Sequence, residues 1–509
     1  MHNLAWWRSA VIYEIYPRSF QDSNGDGIGD LDGIIQRLDY LVKLGVNAIW
    51  VAPIYRSPMA DFGYDVADYC DLDPIFGAME DFDRLLTEAH RRNLKVILDF
   101  VPNHSSDQHP WFIESRSSRE SAKRDWYLWR DEPNNWMGNF GGSGWEWDVG
   151  TNQYYYHSFL KEQPDLNWRN PAVRTAMYDA LRFWLNKGVD GFRVDVMWLL
   201  IKDDQYRDNP LDNLPVYNSD RPEVHEVVAE MRAVIDSYSE RVLIGEIYLP
   251  LKNLMIYYGQ NLSGANLPFN FLLLQSPWNA QAVGEIISEY MSMLPSEAWP
   301  NWVLGNHDNP RIATRVGLSQ VGIAAMLLFT LPGTLTLYYG DEIGMANALI
   351  PPEEIQDPAE KRQPGIGMGR DPERTPMTWD GSETAGFTRG RPWLPLVADH
   401  RVVNVEAEEA DRASILNLYR KLIALRRAYP ILVGGELRSI TSSGDLLSYE
   451  RAAGNERLMI FLNFGESPIR VNAESGSVLA GTPSRRGADR VDSFVELKGS
   501  EGLVVKVDS

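Results

Sequence analysis

The sequence predicts an α/β protein: a (β/α)8 TIM barrel with an inserted domain after strand three and a C-terminal antiparallel β domain. Three observations carry that expectation. Short β-branched apolar runs alternate with stretches of helical spacing, the pattern of parallel strands joined by crossover helices. The runs count to eight. Four of them close on acidic stations: Lys95-Val-Ile-Leu-Asp99, Gly191-Phe-Arg193-Val-Asp195, Val242-Leu-Ile-Gly-Glu246 and Trp302-Val-Leu-Gly-Asn306-His307-Asp308. In a closed barrel the carboxyl ends of the strands converge on one mouth, so these stations would share a site.

Each element follows in order. Residues 10–16 read as strand one, and 31–44 have helical apolar spacing that stops at Gly45, a residue suited to a helix end. Residues 46–52 give strand two, 79–92 the next helix, and strand three ends near Asp99. The alternation then stops. From 104 to 170 the chain is rich in Trp, Tyr, Gly and Asn, too long for a plain loop, and reads as an inserted domain B. Helix 171–187 opens on Pro171, tolerated in a first helical turn. Strand four follows, then a helix over 222–239, strand five to Glu246, strand six over 265–271, strand seven to Asp308 and strand eight from Thr334. Residues 341–409, with many Pro, Arg and Gly, are expected to lie over the mouth, and 412–429 to form the last barrel helix. The catalytic barrel would therefore comprise 1–103 and 171–430. In the remainder, 431–509, strand-like runs at 446–451, 457–463, 468–471 and 503–507 are separated by turn residues, as in a small β-sandwich.

Composition narrows the partners. A chain of 509 residues exceeds one average domain, and 44% hydrophobic residues supply a sizeable interior. The formal net charge of −21 argues against nucleic acid or an anionic membrane and favours a neutral or cationic substrate. With one cysteine, Cys70, no internal disulfide framework is available, which fits a reducing compartment. The amino terminus lacks an apolar h-region, and no run approaches the ~20 apolar residues of a membrane span. A cytoplasmic protein is expected.

The motifs Asp99-Phe-Val-Pro-Asn103-His104, Gln163-Pro-Asp-Leu-Asn167, Gly191-Phe-Arg193-Val-Asp195, Glu246 after Ile-Gly, and Asn306-His307-Asp308 resemble the ordered signature regions of glycoside hydrolase family 13, the α-amylase family. Tyr16-Pro-Arg-Ser-Phe, Asp61-Phe-Gly-Tyr64-Asp-Val and Arg374-Thr-Pro-Met are similar to its α-glucosidase and oligo-1,6-glucosidase branch. The resemblance implies Asp195 as nucleophile, Glu246 as general acid/base and Asp308 as the carboxylate that orients the transition state. It places Asp61, Tyr64, Asp99, His104, Arg193, Val196, His307 and Arg370 around the glucosyl unit. Retention needs two carboxyl groups ~5 Å apart, one ionised and one protonated. Arg193, two residues before Asp195 on one strand face, would keep the nucleophile ionised.

The loop Asp22-Ser-Asn24-Gly-Asp26-Gly-Ile28-Gly-Asp30 spaces oxygen donors at alternate residues. It begins like an EF-hand loop, but its twelfth position is Gly33 rather than Glu. It is similar to the single calcium loop of this branch, which implies a structural Ca2+ held by Asp22, Asn24, Asp26, Asp30 and the Ile28 carbonyl; a metal-free Asx/Gly turn is the alternative. No organic cofactor is expected. His225-Glu-Val-Val-Ala229 lacks the second His of a zinc-protease helix, and the glycine-rich 138–144 segment lacks a following Lys-Ser/Thr.

The expected activity is that of an exo-acting, retaining α-glucosidase on short α-glucosides. A transglucosidase or sugar isomerase on the same scaffold is the nearer alternative, and a catalytically silent family-13-like partner protein the more distant one.

Overall fold

The computed structural model describes residues 4–210, 215–483 and 490–508. The first three residues of the amino-terminal reading and the 211–214, 484–489 and 509 portions of the expected domains lie outside them. Eight parallel strands form the centre: β1 (Val11–Ile15), β2 (Ala48–Val51), β3 (Lys95–Phe100), β4 (Gly191–Val194), β5 (Val242–Gly245), β6 (Leu267–Pro268), β7 (Asn301–Val303) and β8 (Thr334–Tyr338). Their order, β6-β5-β4-β3-β2-β1-β8-β7, is sequential around a barrel with its seam between β6 and β7. Pro268 has no N–H to give to a ladder. A side chain closes the seam instead: Asn301 Nδ2 donates to the Pro268 carbonyl at 2.7 Å, and Asn270 N donates to Asn301 Oδ1 at 3.0 Å.

The outer helices are α1 (Leu31–Leu44), α2 (Met79–Arg91), α3 (Pro171–Lys187), α4 (Val224–Asp236), α5 (Ala280–Met293), α6 (Val321–Thr330) and α7 (Ile415–Ala428). Their ends are written in the sequence. Asp30 caps α1 through the Gly33 N–H, Asn170 caps α3 through the Ala172 N–H, and Gly45 and Gly188 end these helices in the left-handed region at φ 103° and 107°. Between β5 and β6 short turns of helix, Leu251–Leu254, Met255–Tyr258 and Gln260–Leu262, replace a full crossover helix.

Alternation along the strands makes two cores. On β1, Tyr13 and Ile15 face the helices, while Ile12 packs inside with Trp50, Ile97, Ile244 and Val303. Every residue of α6 is buried, because it contacts α7 on one side and the C-terminal sheet on another. Its all-apolar sequence follows from having no wet face.

Two excursions and one appended unit surround the barrel. Between β3 and α3 the inserted domain carries a three-stranded antiparallel sheet of Trp129–Arg130, Gln153–Tyr156 and Trp145–Asp148. After α7 the chain forms a six-stranded sheet and a separate pair, Ile469–Asn472 with Phe494–Leu497, sharing a core of Phe461, Val495, Leu497 and Leu503. The sequence reading missed four strands here: Glu436–Ser443, Gly476–Gly481, Arg490–Val491 and Phe494–Leu497. Among the described residues Glu436–Ser443 pairs only with Leu446–Ala453; it is mostly exposed and polar on both faces, so it shows no alternation to read. Among the described residues no helix is long and apolar enough to cross a membrane.

Candidate active site

Arg193, inward on β4 and fully buried, organises the mouth. Its Nη1 donates to Asp99 Oδ1 and Oδ2 at 2.9 and 3.1 Å and to Asp195 Oδ1 at 2.9 Å, and its Nη2 lies 2.8 Å from Glu246 Oε2. One guanidinium thereby gathers β3 and the residues that follow β4 and β5. Parallel pairing of Val194 with Gly245 sets Asp195 and Glu246 at the same height. A Cβ at Gly245 would come within 2.7 Å of Met197 Sδ, so a larger residue there would have to move the Met197 side chain. Val196 takes φ 37°, a conformation a β-branched residue enters at a cost of about 1–3 kcal/mol. That turn aims its N–H at Glu246 Oε2, 2.8 Å away.

The carboxyl groups divide into two electrostatic classes. Burial, and next the charge of Glu246, lifts Asp195 well above the ordinary carboxylate range and outweighs Arg193, against the expectation that this guanidinium keeps it ionised; burial also raises Glu246, against the pull of Arg193. Both are held by the Arg193 guanidinium, and with both raised, the pair keeps a proton after free carboxyl groups have lost theirs. Burial likewise pushes Asp99 up to about 6. Asp308 behaves oppositely: burial opposes its ionisation, yet neighbouring His307, Arg374 and Arg370 hold it well below the usual range. His307 is itself kept neutral by burial, so the permanent charges carry that effect: Arg374 Nη2 at 2.7 Å and Arg370 Nη1 at 3.5 Å.

On the far wall, Arg370 Nη2 donates to Asp61 Oδ1 at 2.7 Å and to Asp357 Oδ1 at 2.8 Å, and its Nε donates to Asp357 Oδ2 at 3.0 Å. Gln163 Nε2 lies 3.2 Å from Asp61 Oδ2 and 3.1 Å from His104 Nε2. The His307 ring is stacked between Tyr16 and Tyr64, and Tyr64 Oη touches both His307 Nε2 (2.6 Å) and Asp99 Oδ2 (3.1 Å). A bridge closes this side. Gln363 Nε2 donates to the Phe140 carbonyl at 3.0 Å, joining the inserted domain to the segment after β8, and Phe140 packs over Arg370. Gly141, at φ 80°, allows it, since a Cβ there would overlap Gln363.

The cavity so formed holds about 480 Å³. Asp195, Glu246 and Asp308 line it together with Asp61, Tyr64, His104, Val196 and Arg370. Asp99, Arg193 and His307 stand behind that wall. Asp308 sits five residues beyond the end of β7 at Val303, on a loop, whereas the sequence reading ran that strand to Asp308. Gln163, Asp357 and Arg374 also belong to the charge network, and Phe140, Tyr248 and Glu373 to the wall, though the sequence reading assigned them no site role. Gln163 and Arg374 lie inside recognised motifs, which was the available signal. Asp357 and Phe140 had none, because they arrive from the irregular excursions.

The 22–30 loop lies apart from this cavity. Asp22 Oδ1 accepts from the Asn24 and Gly25 N–H groups, Asp26 Oδ1 from Ile28, and Asp30 Oδ2 from Ser23. Those to Asp22 and Asp26 are Asx-turn bonds, the one to Asp30 ties the two ends of the loop together, and among the described residues no group of three His, Cys, Asp or Glu side chains is arranged to hold a metal ion. The oxygen donors are of the type a hard cation takes, but both Asp22 oxygens and Asp30 Oδ2 each already accept two hydrogen bonds, so a cation here would displace some of them.

Residues 14–435 match the family described as alpha amylase, catalytic domain. The chain belongs to that family. Within the α-amylase family it is 42% identical to a probable alpha-glucosidase of Rhizobium meliloti (strain 1021), over 91% of this chain and 90% of that protein. It is 40% identical to the oligo-1,6-glucosidase of Parageobacillus thermoglucosidasius, over 91% of both. The crystal structure of an alpha-glucosyl transfer enzyme superimposes with a TM-score of 0.94 at 38% identity, covering 99% of this chain and 100% of that one.

Proposed function

We propose that the protein is an exo-acting retaining α-glucosidase that releases glucose from the non-reducing end of short α-glucosides. The observation that carries this reading is the pair Asp195 and Glu246 held on one guanidinium and lining one cavity with Asp308, whose carboxyl is kept ionised by its arginine neighbours. Carboxyl groups this close suit retention rather than inversion, which needs room for a water between them. Asp195 attacks the anomeric carbon as the glycosidic bond breaks, and Glu246 gives its proton to the departing oxygen. Glu246, now a carboxylate, takes a proton from water, whose oxygen displaces Asp195 and restores the α configuration. Asp308, with His307, Tyr64 and Arg370, is placed to bind sugar hydroxyls and positive charge as it develops. The Asp61–Arg370 pair and the Phe140–Gln363 bridge support exo action by walling the space behind one sugar.

A second reading, glucosyl transfer to a sugar acceptor, is favoured by the likeness to the transfer enzyme and differs only in what reaches the intermediate first. A structural Ca2+ on Asp22, Asn24, Asp26, Asp30 and the Ile28 carbonyl is a separate proposal, supported by donor chemistry; no step of the reaction involves it.

The test uses leaving groups. Asp195→Asn should abolish turnover on every glucoside. Glu246→Gln should impair glycosylation by maltose far more than by a nitrophenyl glucoside, whose departure needs little protonation, and azide should restore turnover as α-glucosyl azide. Equal loss on both substrates in pre-steady-state glycosylation, with no azide rescue, overturns the assignment of Glu246.

A further inference from the structure

A hydrogen-bonded string runs from the barrel interior to Asp195, and its first member is a carboxyl group that the reaction above does not use. Glu14 points inward from β1 and is fully buried. Its Oε1 lies 2.5 Å from His307 Nδ1; His307 Nε2 lies 2.6 Å from Tyr64 Oη and 3.2 Å from Asp308 Oδ2. Tyr64 Oη in turn reaches Asp99 Oδ2, and Asp99 shares Arg193 Nη1 with Asp195. Among the described residues Glu14 Oε2 has no hydrogen-bond partner, so the side chain spends its contacts on His307.

We propose that Glu14 is a positioning residue for glucosyl transfer to water: it fixes the proton pattern of His307 and thereby the hydrogen bonds of Tyr64, Asp99 and Asp308. This rests on the α-glucosidase reading of the site.

Donor counting sets the direction of the string. Tyr64 has one hydroxyl proton, and where it donates to Asp99, His307 Nε2 must supply the hydrogen for the 2.6 Å contact with Tyr64. A neutral His307 with its proton on Nε2 has a lone pair on Nδ1, which then needs a donor. A protonated Glu14 is that donor. Burial supports both halves, pushing Glu14 well above the carboxylate range and His307 well below the imidazole range. The groups facing Glu14 from other elements are Arg193 on β4, Asp99 on β3, Asp308 and His307 after β7, and Tyr338 on β8. Ring stacking by Tyr16 and Tyr64 fixes where the imidazole lies but is indifferent to which nitrogen carries hydrogen. Glu14 decides that. If the proton moves to Nδ1, Nε2 becomes an acceptor, Tyr64 turns its proton to it, and Asp99 loses a bond that stabilises its ionised form.

The experiment compares Glu14→Leu, which cannot bond Nδ1, with Glu14→Gln, whose amide can donate to it, measuring kcat, KM, the pH profile of kcat/KM and melting temperature. For Glu14→Leu we expect kcat to fall about 100-fold, the scale of one misdirected preorganised donor, with the acid limb displaced to higher pH. Glu14→Gln should recover most of the rate and the parent's acid limb. A folded Leu variant that matches the Gln variant in kcat and pH profile overturns the proposal, as does a Gln variant no better than Leu. If Leu fails to fold, the Gln variant alone decides: a loss as large as the 100-fold scale overturns the role, and parent-like kinetics uphold it. Absence of turnover in the parent on every α-glucoside would instead strike the functional reading.

Discussion

Replacing Arg370 with methionine removes one mostly buried guanidinium from three carboxylates while keeping much of its volume. Arg370 donates to Asp61 at 2.7 Å and to Asp357 at 2.8 and 3.0 Å, and stands 3.5 Å from Asp308. Burial opposes ionisation of Asp357, but Arg370 holds its carboxyl below the ordinary range. Such a depressed group lends stability above its unfolded pKa and loses it as pH falls through the folded value. Without the guanidinium, burial raises the same group, and its contribution changes sign: stability now falls as pH rises. The penalty of the substitution is therefore largest at neutral pH and shrinks toward pH 4. Breaking a buried pair by removing one partner costs about 3–5 kcal/mol. Unfolding entropy near 2.1 cal/mol/K per residue, over 509 residues, gives about 1 kcal/mol per degree, so the melting temperature at pH 7 should drop by about 3–5 °C. Calorimetry of parent and variant at pH 7 and pH 4.5 reads this directly. A drop that is equal at the two pH values, or greater in acid, refutes the electrostatic account of this wall.

Two other expectations concern Val196 and the 22–30 loop. Val196→Thr replaces a methyl with a hydroxyl beside Glu246 and should lower the isomaltose-to-maltose ratio of kcat/KM by the equivalent of ~1–3 kcal/mol; a parent that does not cleave isomaltose at all sinks that reading. Exhaustive chelation should lower the melting temperature and leave kcat unchanged if the loop holds Ca2+, whereas an unchanged melting curve with no calcium by elemental analysis leaves a metal-free Asx turn.

Much of the barrel was legible because several strand exits coincided with a chemical marker. Asp99, Arg193, Asp195 and Glu246 stand at the ends of runs whose β-branched character and helix-separated spacing identify them independently. Caps were legible for the same local reason: Asn170 with Pro171, and Gly45, act within one turn of their own position. What escaped was nonlocal. Asp357, Phe140 and Gln363 meet the site only because the inserted domain and the segment after β8 touch each other, and neither has a periodicity from which that contact could be read. Glu14 was hidden differently. It occupies an inward position of a strand otherwise made of Val, Ile and Tyr, and only the facing His307 reveals why a carboxyl group belongs there. The seam residue Asn301 and the left-handed Val196 likewise depend on partners supplied by other strands.

The Phe140–Gln363 bridge has a kinetic corollary. With one flank of the mouth closed by contact between two excursions, the severed aglycone and whatever captures the bound glucosyl group would share the remaining opening of the same cavity. Departure must precede arrival. On the proposed reaction the aglycone is the first product and glucose the last, and a sugar acceptor is oriented by the walls that had gripped the aglycone. The linkage this enzyme severs fastest is then the linkage it rebuilds most readily when sugar is abundant, and glucose should inhibit competitively against substrate.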